Sequence, residues 1–261
     1  MSNLGKPDRK LWLEMNKPEE AESLRADTYL KFLYGDLIES LLIFLVELSG
    51  HTVEGMQDEQ NLYGVKGHRD VVIDGHLVDA KSASTFSYQK FKDGKLKDDD
   101  PFGYIDQLDS YLEAAKDDPI VTDKDKASFL VMDKTLGHIL LDTHQKQNKD
   151  YEKFINDKRE MIKGEIPDLC YEPKKDGYKN YKTKEFVENG NEYLGTGCSY
   201  CDYSKFCYPG LRTFLTSKGV KKFSKVVKEP VKLIEITNGF PKEIDLEGVE
   251  DLGMFPMAEE E

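Results

Sequence analysis

The chain has 261 residues, 38% of them hydrophobic and 33% charged, with a formal net charge of −13. That length can bury a real core and the charges are dispersed along the chain, so a folded protein is expected and a disordered one is excluded. The apolar run LIESLLIFLVEL at 37–48 is too short to span a bilayer and carries Glu39 and Glu47, which excludes a membrane span there and leaves no membrane partner.

Residues 1–26 form an N-terminal segment without the charged start, apolar middle and small-residue cleavage site of an export signal, so a cytoplasmic protein is expected. From Asp27 to Ser49, apolar residues recur at three- and four-residue spacing and Gly50 follows, the pattern of a helix. HTVEGMQDEQ, LYGVKGHRDVVID and HLVDAKSAS then read as three consecutive strands, the last two joined by an Asp74-Gly75 hairpin turn. The polar stretch 85–100 lacks periodicity and reads as an exposed loop. Helical spacing returns at 102–115, a strand pair around Leu136-Gly137 fits 128–144, and a further helix fits 147–163. This order predicts an α/β domain over 27–163, with a mixed central sheet flanked by helices.

Residues 164–232 hold all four cysteines and no long apolar run, and read as a C-terminal appendage organised by something other than an apolar core. Within it, residues 171–232 carry thirteen Lys or Arg against seven Asp or Glu, which suits a basic working surface despite the acidic average. Residues 233–261 read as an acidic tail, flexible over 243–261, which could solubilise the chain or bind a replication or recombination protein.

Asp70, Asp79 and Lys81 stand where strands should bury apolar residues. Asp-x-Lys alone is a weak pattern, since it recurs as Asp8-Arg9-Lys10 and Asp93-Gly94-Lys95. Its context is stronger. Period two puts Asp79 and Lys81 on one strand face, and the hairpin at Asp74-Gly75 brings the Asp70 carboxylate near that of Asp79. Two such carboxylates repel; a divalent cation relieves this, and so does a plain salt-bridge cluster with Lys81.

Gly67-His-Arg-Asp70, Asp79-Ala-Lys81 and Gln107-Leu-Asp-Ser-Tyr111, in this order, resemble the PD-(D/E)XK nuclease superfamily, in particular its RecB and AddAB type. The resemblance covers roughly residues 27–145 and implies a restriction-endonuclease-like fold. It further implies a metal-dependent DNA exonuclease that hydrolyses phosphodiester bonds at DNA ends, in recombination or replication. Glu39 matches the acidic residue that many relatives carry on the helix before the sheet, where many RecB-type nucleases have a histidine. Asp70, Asp79, Glu39 and the Ala80 carbonyl are the ligands implied for Mg²⁺ or Mn²⁺, with Lys81 beside the attacking water. Gln107 and Tyr111 share one helix face, which the resemblance sets against the active site, while Gln57 reads as a solvated edge residue. The compact form, without a helicase motif, resembles phage-encoded recombination nucleases acting in a host cytoplasm. A CRISPR-type prespacer-trimming nuclease, or a non-catalytic DNA-binding scaffold with the same fold, are the alternatives.

Cys170, Cys198, Cys201 and Cys207 follow 169 residues without a cysteine. In a reducing compartment, four thiolates of this spacing suit zinc or an iron–sulfur cluster. The triplet Cys198-x-x-Cys201-x5-Cys207 resembles that of iron–sulfur nucleases of the AddB and CRISPR-adaptation groups, which implies [4Fe–4S] before Zn²⁺. In those relatives the fourth cysteine usually precedes the nuclease core, whereas Cys170 follows it, so a local loop is expected to close. Tyr171, Tyr178, Tyr181, Tyr200, Tyr203, Phe206 and Tyr208 lie among lysines here, fitted either to stack the bases of a DNA single strand or to shield the cluster.

Overall fold

The computed structural model describes residues 1–24, 26–216, 219–231, 233–237 and 240–241. Two helices, α1 (Asp8–Asn16) and α2 (Ala26–Leu48), precede five strands: β1 (Val53–Glu54), β2 (Glu59–Leu62), β3 (Val65–His68), β4 (Val71–Ile73) and β5 (His76–Ala83). Then come α3 (Thr85–Lys92), α4 (Tyr104–Ala114), β6 (Lys126–Asp133), β7 (Ile139–Gln145) and α5 (Tyr151–Lys163). The remainder is β8 (Lys174–Lys179), β9 (Phe186–Tyr193), α6 (Thr196–Ser199), α7 (Ser204–Cys207), β10 (Arg212–Thr216), β11 (Gly219–Lys225), β12 (Ile234–Thr237) and β13 (Phe240–Pro241).

A mixed sheet in the order β1-β4-β5-β6-β7 carries the first part of the chain; β5 and β6 run parallel and the other neighbours antiparallel. Alternation along β5 gives it two apolar faces, because successive side chains point to opposite sides of a sheet. Val78 and Ala80 pack with Val71, Leu130 and the α2 residues Ile38 and Leu42. Leu77 and Ala83 pack on the other face with Phe129 and the α4 residues Leu108, Tyr111 and Leu112. The chain is therefore mixed α/β, with helices on both sides of the sheet. No helix among the described residues is long and apolar enough to cross a membrane.

The expected turn at Asp74-Gly75 is present: both residues have positive φ, 49° and 79°, and Ile73 pairs with His76. The long middle strand expected over 62–74 is instead two, β3 pairing only with β2 and β4 joining the main sheet. Arg69 explains the break. Its side chain is 2% exposed and is drawn inward to Asp58 and Asp118, each at 2.6 Å, and to the Gly55 carbonyl at 3.0 Å. Asp70, next in the chain, is left between the two strands.

The stretch 85–100 is not the exposed loop expected from its polarity. Ser84 caps α3 by accepting the Ser87 N–H at 3.3 Å, and Tyr88 and Phe91 turn one face of that short helix into the core, joined by Leu96. Three apolar residues suffice because the lysines between them stay outside.

Packing divides the chain differently from composition. Met1–Glu172 and Gly195–Pro209 make one compact unit, and Pro173–Leu194 with the described residues from Gly210 onward make the other. All four cysteines belong to the first. The second unit has an antiparallel sheet, β13-β12-β10-β11-β9-β8, around Phe214 and Phe223, whose rings meet edge-on at 5.4 Å. It thus has an apolar centre that the appendage reading did not foresee, because two aromatic positions on alternating strands do not form an apolar run. Residues 234–237 and 240–241, assigned to the acidic tail, lie in strands, and the flexible tail expected at 243–261 falls outside the described residues.

Replacing Arg69 with Met should lower unfolding stability by about 2 kcal/mol in urea titrations, since it strips two carboxylates and a carbonyl of their buried donor.

Candidate active site and cysteine cavity

Asp79 and Lys81 leave β5 on the same face, and Lys81 Nζ lies 2.5 Å from Asp79 Oδ2. Continuing the β4–β5 register, in which Val71 pairs with Val78, sets Asp70 opposite Asp79. The Asp70 carboxylate accepts the Ala80 backbone N–H at 2.8 Å, which fixes it across the hairpin. Glu39 approaches from α2 and accepts a 2.8 Å hydrogen bond from Gln57 Nε2. Glu39, Gln57 and Asp70 open onto a cleft of about 660 Å³ that His68 and Lys66 also line.

Charge crowding leaves its mark on these groups. Burial, then the neighbouring Asp79 carboxylate, push Asp70 up to about 7, against the opposing pull of Lys81. Glu39 is raised chiefly by burial, with Asp79 adding to the effect and the Gln57 hydrogen bond opposing it. For Lys81 burial acts downward, but Asp79 and Asp70 outweigh it and hold the ammonium above its ordinary value. Asp79 Oδ2 is buried and, although it touches Lys81, has no well-aligned hydrogen bond. An oxygen in that condition has capacity for a further cation.

Gln107 on α4 makes a long contact, 3.5 Å, to Asp79 Oδ1. Tyr111, one turn further, bonds to Ser2, with the two hydroxyls 2.9 Å apart, and its hydroxyl still feels the Asp70 and Asp79 carboxylates, which add to the upward push of burial. A β-carbon on Gly67 would stand 2.7 Å from both the Met1 backbone nitrogen and the Tyr111 hydroxyl, so the glycine of the first motif makes room for the N-terminus and for the tyrosine of the third. Tyr104, three residues before Gln107, lays its ring 5.3 Å from Lys81 Nζ. Helical spacing from Gln107 could have flagged Tyr104. Ser2 had no such signal, being 109 positions from its partner. Gln57, read as a weaker candidate and more readily as a solvated edge residue, is exposed and also donates to Glu39.

The four cysteines are free thiols, and all of them line a single cavity of about 330 Å³. Burial pushes the Cys198 thiol up to about 11, and the nearby Cys201, Cys170 and Cys207 sulfurs reinforce the shift. The first turn of α1 forms a wall of this cavity: Arg9 Nε donates to Cys207 Sγ at 3.3 Å, and the Arg9 and Lys10 backbone N–H groups are directed at Cys170. Among the described residues, no group of three or more His, Cys, Asp or Glu is gathered closely enough to hold a metal ion with the side chains as they stand. Of the aromatics among the cysteines, Tyr203 is buried, Tyr200 is exposed, and Tyr208 donates its hydroxyl to the Tyr171 carbonyl at 2.6 Å.

No family model matches the sequence, and neither a curated protein nor a solved structure is similar to it.

The raised Asp70 pKa makes stability fall with pH in metal-free solution. Between about pH 4 and 7 the unfolded chain releases the Asp70 proton while the folded chain retains it, so the native state is progressively disfavoured. Asp70→Asn should gain stability over wild type by about 2 kcal/mol more at pH 8 than at pH 5, measured by urea denaturation in chelator.

Proposed function

We propose that this chain is a divalent-metal-dependent deoxyribonuclease of the PD-(D/E)XK type, with a restriction-endonuclease-like core, acting on DNA ends. The observation that carries this reading is the convergence of Asp70, Asp79 and Lys81 beside an open cleft, with the Asp70 carboxylate fixed across the hairpin by the Ala80 N–H and Asp79 held against Lys81. Asp70, Asp79, Glu39 and the Ala80 carbonyl would hold Mg²⁺ or Mn²⁺, since all are hard oxygen donors. Such an ion, when bound, polarises the phosphodiester and offsets charge on the leaving oxygen.

The chain's own residues supply the rest. Lys81, its ammonium against the Asp79 carboxylate, would orient or help deprotonate the attacking water and stabilise charge on the developing phosphorane oxygens. Gln57 holds the Glu39 carboxylate toward the cleft and Gln107 steadies Asp79. In the second unit, Lys179, Lys182 and Lys184 alternate in sequence with the exposed Tyr178 and Tyr181, and Lys184 Nζ stands 4.5 Å from the Tyr181 ring, a composition that suits a nucleic-acid strand.

End-labelled single- and double-stranded DNA tests the assignment. Lys81→Ala and Asp79→Ala should each lose Mg²⁺-dependent degradation by about 10³-fold. Equal degradation by all three proteins would remove the catalytic reading and leave a DNA-binding scaffold.

For the cysteine cavity we infer a [4Fe–4S] cluster. A four-thiolate cluster carries net negative charge, and the first turn of α1, with Arg9 and Lys10, provides the positive potential to offset it. Protein prepared without oxygen should be brown with broad absorbance near 400 nm, and Cys198→Ser should bleach it. A colourless wild type with one zinc per chain would reverse the assignment to Zn²⁺.

A further inference from the structure

Helix α2 buries one face against the sheet and leaves another, wholly apolar, in solvent. Leu30, Tyr34, Leu37, Leu41, Phe44 and Leu48 are between 44% and 72% exposed. They fall at alternating spacings of four and three, the a and d positions of three consecutive heptads. Ile38 and Leu42, which pack beneath, lie about a third of a turn away, and Glu39 points to the cleft from a third direction. Scattered exposed leucines are ordinary on protein surfaces; a continuous stripe along a 23-residue helix is not.

We propose that this stripe is the contact between two copies of the chain, paired antiparallel through α2 about a twofold axis level with residue 39. The register is self-complementary. Leu37 meets Leu41, Tyr34 meets Phe44, and Leu30 meets Leu48 of the second copy, so each a position finds a d position and the two aromatic residues find each other. Antiparallel pairing sets the two helix dipoles head to tail and keeps the exposed Glu47 carboxylates on opposite ends of the contact, whereas parallel pairing would bring them together. Six large side chains at about half exposure offer on the order of 600 Å² per copy before the helix flanks are counted, close to the ~800 Å² per partner of a stable interface. Leu33, 55% exposed, adds to it from the flank.

Sedimentation equilibrium of the full chain at micromolar concentration should give twice the chain mass. Leu37→Glu and Leu41→Glu should each raise the dimer dissociation constant by about thirtyfold or more, with helix content by circular dichroism unchanged. Two gentler variants fix the register by cross-linking with a short bis-maleimide, mapped by peptide mass above the wild-type background. Leu41→Cys stands about 6 Å along the axis from its own copy in the antiparallel pair, and Leu48→Cys about 27 Å. The first should cross-link to itself and the second should not. A monomeric wild type, a dimer indifferent to both glutamates, or cross-linking through position 48 would each overturn the proposal.

Discussion

Two carboxylates held across a tight hairpin, with an ammonium group against one of them, are the constraint around which the first unit is built. Asp70 and Asp79 are brought together by a turn whose two central residues both take positive φ, and Asp74 further secures that turn by accepting the Thr52 backbone N–H at 2.8 Å. The repulsion this creates is unfavourable for folding, and the surrounding structure resists it. Lys81 neutralises part of the charge, Ala80 donates its N–H to Asp70, and the preceding residue, Arg69, is anchored by its ion pairs with Asp58 and Asp118. Electrostatic strain of this kind is kept in a strand whose other central residues, Leu77, Val78 and Ala80, are buried and apolar.

Strand β5 divides the labour. Its Val78 and Ala80 face α2, while Asp79 and Lys81 lie on the side of α4, so helices on opposite sides of one sheet both reach the same few atoms. Gln107 comes from one side and Glu39, oriented by Gln57, from the other. Helix α2 consequently has three separate duties: an apolar face against the sheet, an acidic residue at the cleft, and an exposed heptad stripe. Each occupies a different angular sector of the same cylinder, which is why a helix apolar over most of its circumference still presents a carboxylate to water.

The N-terminal residues connect the two functional regions of the first unit. Ser2 lines both the cleft and the cysteine cavity and bonds to Tyr111, and Arg9 and Lys10 attend the sulfurs. The start of α1 brings backbone N–H groups and an arginine to the thiols, groups that favour negative charge without contributing a ligand.

The sequence by itself determined the elements with strong periodicity: α2, the hairpin into β5, α4, the β6–β7 pair and α5. It also determined that Asp79 and Lys81 share a face, because a period of two leaves no other choice. It did not determine the break at Arg69, the helix hidden in residues 85–100, or the second sheet, since each depends on a few side chains whose partners lie far along the chain. Tertiary structure alone decided that Ser2 would meet Tyr111, that Gln57 would orient Glu39, and that residues 195–209 would return to the first unit with their cysteines. Local pattern encodes which way a side chain faces; what it meets there is set by the packing of segments with no sequence proximity, and that information appears only when the chain is folded.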